Sequence, residues 1–241
     1  MTKFFFQLFC AFYTTLVLGQ DLTASQLLNK AIAFHDPQEK WADFSGQLFI
    51  TMKTPISSDR LSEITLNLPQ QYFKLVAKKD DITTEQILDK GNCKLLFNGS
   101  DKISEDEAKK HRLTCERTDM MKNYYTYLYG LPMKLKDQRT PLDPKVYKKN
   151  FKGKVYDVLK VAYKEPVGND TWYFYFDPET YALEVYQFYH DEEKNDGEYI
   201  ILSDLEEING VKMPKIRAWY YNKDDTYLGT DTLAKIAPNI D

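Results

Sequence analysis

Asn209-Gly210 separates two runs of strand-forming residues, 197–208 and 211–221, and is the strongest local signal in the chain. Asn-Gly makes the tight turn of a β-hairpin, because both residues tolerate the positive φ such turns demand. The same grammar recurs at Lys152-Gly153, between 145–151 and 154–163, and at Asp177-Pro178-Glu179-Thr180, between 170–176 and 181–190. Upstream, segments 46–54, 61–69, 71–79, 82–88 and 93–99 are each bounded by Pro, Asp or Gly, and 226–236 closes the series. A chain punctuated in this way folds as an antiparallel meander, here of about eleven strands.

Two segments follow the helical period instead. Thr23 with Gln26 forms a capping-box pattern, and Leu27, Leu28, Ala31, Ile32 and His35 make one stripe before Asp36-Pro37 stops it. Ser104 with Glu107 opens a second helix, in which Leu113, Met120, Met121, Tyr124 and Leu128 keep helical spacing. Gly130 and Pro132 end it, and Arg117 interrupts its apolar stripe. No long polar linker divides the chain. The fold expected is α+β, with one antiparallel sheet and two helices in a single domain.

The first twenty residues read as an export signal. Lys3 precedes an apolar stretch from Phe4 to Leu18, and Val17-Leu18-Gly19 supplies the cleavage end. The expected division is a signal peptide at 1–19 and a mature domain at 20–241, beginning at Gln20. The apolar stretch is too short to span a bilayer comfortably, so no transmembrane segment is expected after its removal. Cys10 lacks the small residue expected before a lipidated cysteine. Without Cys10 the chain keeps Cys93 and Cys115. In an oxidising compartment this pair reads as one disulfide, with two separate thiols as the alternative.

Aromatic residues make up 15% of the chain, 18 of them Tyr, and they concentrate in the hairpin at 169–191. Trp172 to Phe176 is an unbroken aromatic run. A turn at 177–180 would set Phe176 opposite Tyr181, Phe174 opposite Leu183 and Trp172 opposite Val185. One face would then carry Trp172, Phe174, Phe176, Leu183 and Val185, because strand side chains alternate. The other would carry Tyr173, Tyr175 and Tyr186, with hydroxyls able to reach water. The apolar face either packs under a helix or lines a cavity.

Catalytic patterns are sparse. His111 and Cys115 are four apart and could share a helix face, but two ligands do not make a metal site. His35 ends a helical stripe, and His190 precedes Asp191, Glu192 and Glu193 at a hairpin end without the spacing of a calcium loop. There is no Gly-rich phosphate loop, no Gly-x-Ser-x-Gly elbow and no His-Glu-x-x-His. No enzyme activity, metal or cofactor is expected. Net charge is −4 with no Lys/Arg block, which disfavours nucleic acid as a partner.

Five segments carry a resemblance: "KAIAFHDP" (30–37), "NYYTYLYGLPMKL" (123–135), "WYFYFDPETYALEVYQFYHD" (172–191), "NGVKMP" (209–214) and "RAWYYNKDDTYLGTD" (217–231). In order and content they resemble an uncharacterised secreted bacterial family related to the outer-membrane lipoprotein carrier (LolA/LolB-like) superfamily. The resemblance implies a strongly curved half-barrel sheet, helices over its concave face, and a hydrophobic cavity for acyl chains. No residue corresponds to a lid-gating residue of the carriers, so none is carried over. The expected protein is a secreted, periplasmic or extracellular monomer that binds a lipid-like ligand through Trp172, Phe174, Phe176, Leu183 and Val185, with envelope proteins as partners. The alternatives are a protein- or glycan-docking module using Tyr173, Tyr175, Tyr186, Trp219 or Tyr221 and, last, a hydrolase.

Overall fold

The computed structural model describes residues 22–163 and 169–235. The expected signal peptide and its cleavage point lie outside the described residues.

Twelve strands form one antiparallel sheet among the described residues, one for each segment named above, against the approximate total of eleven. They are β1 (Ser45–Thr54), β2 (Ser57–Asn67), β3 (Tyr72–Lys79), β4 (Ile82–Asp89), β5 (Asn92–Phe97), β6 (Tyr147–Phe151), β7 (Lys154–Ala162), β8 (Thr171–Phe176), β9 (Leu183–Tyr189), β10 (Glu198–Ile208), β11 (Val211–Tyr221) and β12 (Tyr227–Ala234). Their spatial order is β5-β4-β3-β2-β1-β12-β11-β10-β9-β8-β7-β6, so β5 and β6 are free edges and the sheet is not closed into a barrel. Each half is a hairpin meander. The halves meet at the centre, where β1 pairs with β12 from Phe49↔Ala234 to Lys53↔Thr230.

Helix α1 (Ala24–His35) begins as expected, with the Thr23 hydroxyl accepting from the Gln26 N–H and the Gln26 side chain returning to Thr23 N–H. The second helical stretch is two helices, α2 (Glu105–His111) and α3 (Cys115–Tyr129). Arg112 takes a left-handed φ of 53° and ends α2. Thr114 then restarts the helix, its hydroxyl accepting from Arg117 N–H at 3.1 Å. Leu113, between the two, is buried and anchors the break.

Both α1 and α3 lie on one face of the sheet. Leu27, Leu28 and Ala31 of α1, and Tyr125, Leu128 and Tyr129 of α3, share a core with Leu48, Ile64, Phe73, Phe174, Ile200 and Leu233. Cys93 of β5 is bonded to Cys115, the first residue of α3, with Cα atoms 5.8 Å apart. The helix that crosses the sheet is thereby stapled to the sheet's edge. Closing a loop with 22 residues of sequence separation is worth about 3 kcal/mol in the chain-entropy account.

The opposite face carries a smaller cluster: Tyr156, Val158, Tyr173, Tyr175 and Val185, with Phe151 of β6 packed against it. This corrects the expected register of the aromatic hairpin. Phe176 pairs with Leu183, but a bulge between Tyr175 and Phe176 then sets Tyr175 against Val185, Phe174 against Tyr186 and Trp172 against Phe188. One extra residue exchanges the faces of everything beyond it. Val185 therefore points away from the helices, and Tyr186 points toward them. Tyr181, in left-handed conformation at φ 65°, lengthens the turn that the simple count had placed at four residues.

Candidate ligand-binding groove

At one rim of the helix-covered face, α1 closes the part over β9 and β11, while a pocket of about 520 Å³ opens farther along, between α3 and the end of β2, the start of β3 and the end of β4. His35, fully buried at the end of α1, bridges two strand starts. Its Nδ1 lies 2.7 Å from the Lys212 carbonyl oxygen at the start of β11, and its Nε2 accepts from the Leu183 N–H of β9 at 3.0 Å. This arrangement requires the neutral ring, protonated on Nδ1. Burial is the main cause that lowers the His35 pKa to about 4. The Asp36 carboxylate, next in sequence, accepts from Lys40 N–H and Trp41 N–H and shapes the turn out of the helix. His35 is thus a satisfied core residue with no open space before it.

The other rim, where β1 ends and β2, β10 and β12 begin, opens in pockets beside α3. A cleft of about 410 Å³ lies between α3 and the ends of β2, β3 and β4. Leu75, Ala77, Ile82, Met121 and Tyr125 give it apolar walls, and Arg60, Lys79, Arg112 and Arg117 stand at its mouth. A second of about 240 Å³ is lined by Met52, Tyr124, Trp219, Leu228 and Asp231. A third of about 540 Å³ lies near the end of α3, against Tyr127, Tyr163 and Trp172. The second and third are linked by rings. Trp172 lies 6.1 Å from Tyr186, and Tyr186 lies 6.3 Å from Trp219, centroid to centroid.

The residues singled out from the sequence separate into three groups. Phe174, Phe176 and Leu183 are at most 3% exposed, belong to the core beneath the helices, and line none of these three pockets. Trp172 is half-buried and forms a wall of the third pocket, where it stacks on Phe188 at 4.7 Å. Val185 is on the far face. The proposed docking face fares differently. Tyr173 and Tyr175 are buried on the far side under β6, Tyr186 and Trp219 face the helices, and Tyr221 alone of the five is exposed. Cys115 is committed to its disulfide and cannot act as a thiolate ligand beside His111. Among the described residues no group of three His, Cys, Asp or Glu side chains is placed to hold a metal ion. No helix among them is long and apolar enough to cross a membrane.

Sequence reading missed a polar row inside this face. Cross-strand pairing sets Arg60 of β2 beside Met52 of β1, Met52 beside Asp231 of β12, and Asp231 beside Arg217 of β11. Arg217 is 1% exposed and stacks on the Tyr129 ring at 3.9 Å. The signal was present in the sequence. Val211, Met213, Arg217 and Trp219 share one alternation of β11, so a buried charge follows once the apolar members are placed inward.

A family model described as a family of unknown function (DUF6503) matches residues 2–235. No curated protein matches the sequence significantly. Among solved structures, a LolA superfamily protein from Nitrosomonas europaea is similar at 10% identity and a TM-score of 0.47, over 92% of this chain and 96% of the other. A DUF1329 family protein from Desulfovibrio piger is similar at 7% identity and a TM-score of 0.46, over 90% of this chain and 93% of the other. At scores below 0.5, function has to be read from this chain's own residues.

Proposed function

The chain belongs to DUF6503, a family of unknown function, and for it we propose the role of a periplasmic or secreted carrier that holds the acyl part of a lipid-like ligand. The signal at 1–19 would export it, and the mature domain would begin at Gln20. The ligand would enter beside α3 and lie along the aromatic wall of Trp172, Trp219 and Tyr124. Of the residues first singled out, Trp172 is the proposed contact. Phe174, Phe176 and Leu183 form the packed floor behind it.

One observation carries this reading: pockets with apolar walls open on both sides of α3, three of them along the rim away from α1 and a fourth of about 520 Å³ beside the Cys93–Cys115 bridge. Ligand sites are concave and mostly apolar with a few placed polar groups, as here. The resemblance of segments such as 123–135 and 172–191 to carrier-related proteins supports it as well. Burial of Tyr173, Tyr175 and Tyr186 leaves the docking alternative with Tyr221 alone of its five residues exposed.

The test is native mass spectrometry of protein purified mildly from the exported fraction of its host, paired with titration of a fluorescent fatty-acid probe into delipidated protein. Co-purifying lipid mass and saturable probe binding are expected. A single bare mass together with no probe binding would remove the carrier reading.

A further inference from the structure

Several polar atoms under α3 make no well-formed hydrogen bond among the described residues. They are Arg217 Nε and Nη2, the Tyr129 and Tyr186 hydroxyls, Asp231 Oδ1, Arg60 Nε and the Ser62 hydroxyl. Arg217, Tyr129 and Tyr186 are each 1% exposed. Arg217 makes one hydrogen bond, from Nη1 to the Pro214 carbonyl oxygen at 2.7 Å. Leaving this much donor capacity unmet in an apolar interior is unfavourable, even with the Asp231 carboxylate as the cross-strand neighbour of Arg217. The atoms are also concentrated. Arg60, Asp231 and Arg217 belong to one cross-strand row, Tyr129 covers Arg217, and Tyr186 lies close enough to feel the Arg217 charge. Asp231 is a wall of the 240 Å³ pocket, together with Met52, Tyr124, Trp219 and Glu198, and Arg217 lies directly behind it as its cross-strand neighbour.

Charge decides what kind of group would complete the row. Two arginines against one carboxylate leave it net positive. The unmet valences on Arg217 and Arg60 are donors, the Tyr129 and Tyr186 hydroxyls can donate, and planar guanidinium forks match carboxylate and phosphate oxygens. Burial raises the Asp231 pKa, against the pull of Arg217 and Arg60, which lower it.

We infer that this row is the head-group site of a single-tailed anionic amphiphile, bound head-inward at Arg217, Tyr129 and Tyr186, with its tail passing out along Met52, Tyr124 and Trp219. The inference rests on the carrier reading and narrows its ligand to an acid. The shared chemistry is an anionic oxygen group, from either a free fatty acid or a lipid phosphate.

The experiment is calorimetric titration of the delipidated mature chain with three probes of equal tail: hexadecanoate, hexadecyl phosphate and hexadecanol. Charge-assisted hydrogen bonds predict that at least one anion binds about tenfold tighter than the alcohol. The tighter anion identifies the source, carboxylate or phosphate. Arg217→Met should abolish the preference, bringing the anions down to the affinity of hexadecanol for the same variant. If Arg217→Met does not fold, Tyr186→Phe carries the test. It removes one hydroxyl and little volume, and should reduce the preference about threefold. Equal affinity for acid and alcohol in the wild type would mean that buried water meets these atoms, and would overturn the inference while leaving the carrier reading intact. So would a preference that survives Arg217→Met or Tyr186→Phe. Failure of all three probes to bind would overturn both.

Discussion

The Leu183 amide donates its hydrogen to His35 Nε2 at 3.0 Å, joining the end of α1 to the start of β9 across 148 positions of sequence. The bond exists only while that nitrogen is unprotonated, which makes the closed rim sensitive to acid.

The folded-state pKa of His35, about 4, lies below its usual 6.5, so the unfolded chain binds a proton first as pH falls. Its contribution is complete above pH 6.5 and is lost progressively toward pH 4, for a total of roughly 3 kcal/mol. Urea denaturation of the wild type and of His35→Gln at pH 7.5, 5.5 and 4.5 measures it. The variant should start less stable and fall less steeply. Parallel pH dependence in the two proteins would show that His35 does not titrate this way.

Reduction of Cys93–Cys115 should cost about 3 kcal/mol, by freeing the chain between β5 and α3 in the unfolded state. Thiol counting on unfolded, unreduced protein should find neither cysteine free. Two titratable thiols in carefully non-reduced material would contradict the bridge.

Phe174 is completely buried, so Phe174→Ala should lose about 3–5 kcal/mol of stability. Trp172 has a wall on the third pocket and fewer packing partners to lose, so Trp172→Ala should cost clearly less and weaken fatty-acid probe binding several-fold. Denaturant melts with probe titrations check both. An equal stability loss in the two variants, with unchanged binding, would place Trp172 in the core with its neighbour.

The mature protein should begin at Gln20. Intact mass of material exported by the native host tests this. A chain still beginning at Met1, or one carrying a diacylglyceryl group, would contradict it.

The hairpin architecture was legible because the turn signals are local. Asn209-Gly210 and Lys152-Gly153 take the positive φ their turns require, and the α1 capping box appears as read. Two features were not legible, each for a physical reason. The break between α2 and α3 depends on Arg112 in left-handed conformation, which a non-glycine side chain does not advertise. The faces of β8 and β9 depend on one bulge, which reverses the placement of Val185 and Tyr186 without altering strand propensity. The candidate groove was legible only at Trp172. Its other walls come from β1, β2, β11 and β12, and only the tertiary pairing brings them together.

The pairing of β1 with β12 at the centre of the sheet has a consequence for the timing of folding. Phe49 and Ala234 are neighbours in space at the greatest sequence distance of any strand partners in the sheet. Each half can form its hairpins alone, but the floor beneath α3 stays divided until β12 is available to join them. Synthesis delivers β12 last, and closing so long a loop is slow compared with forming a hairpin. Until then β1 keeps an unpaired edge, so the joining of the two halves is the last step in assembling the sheet.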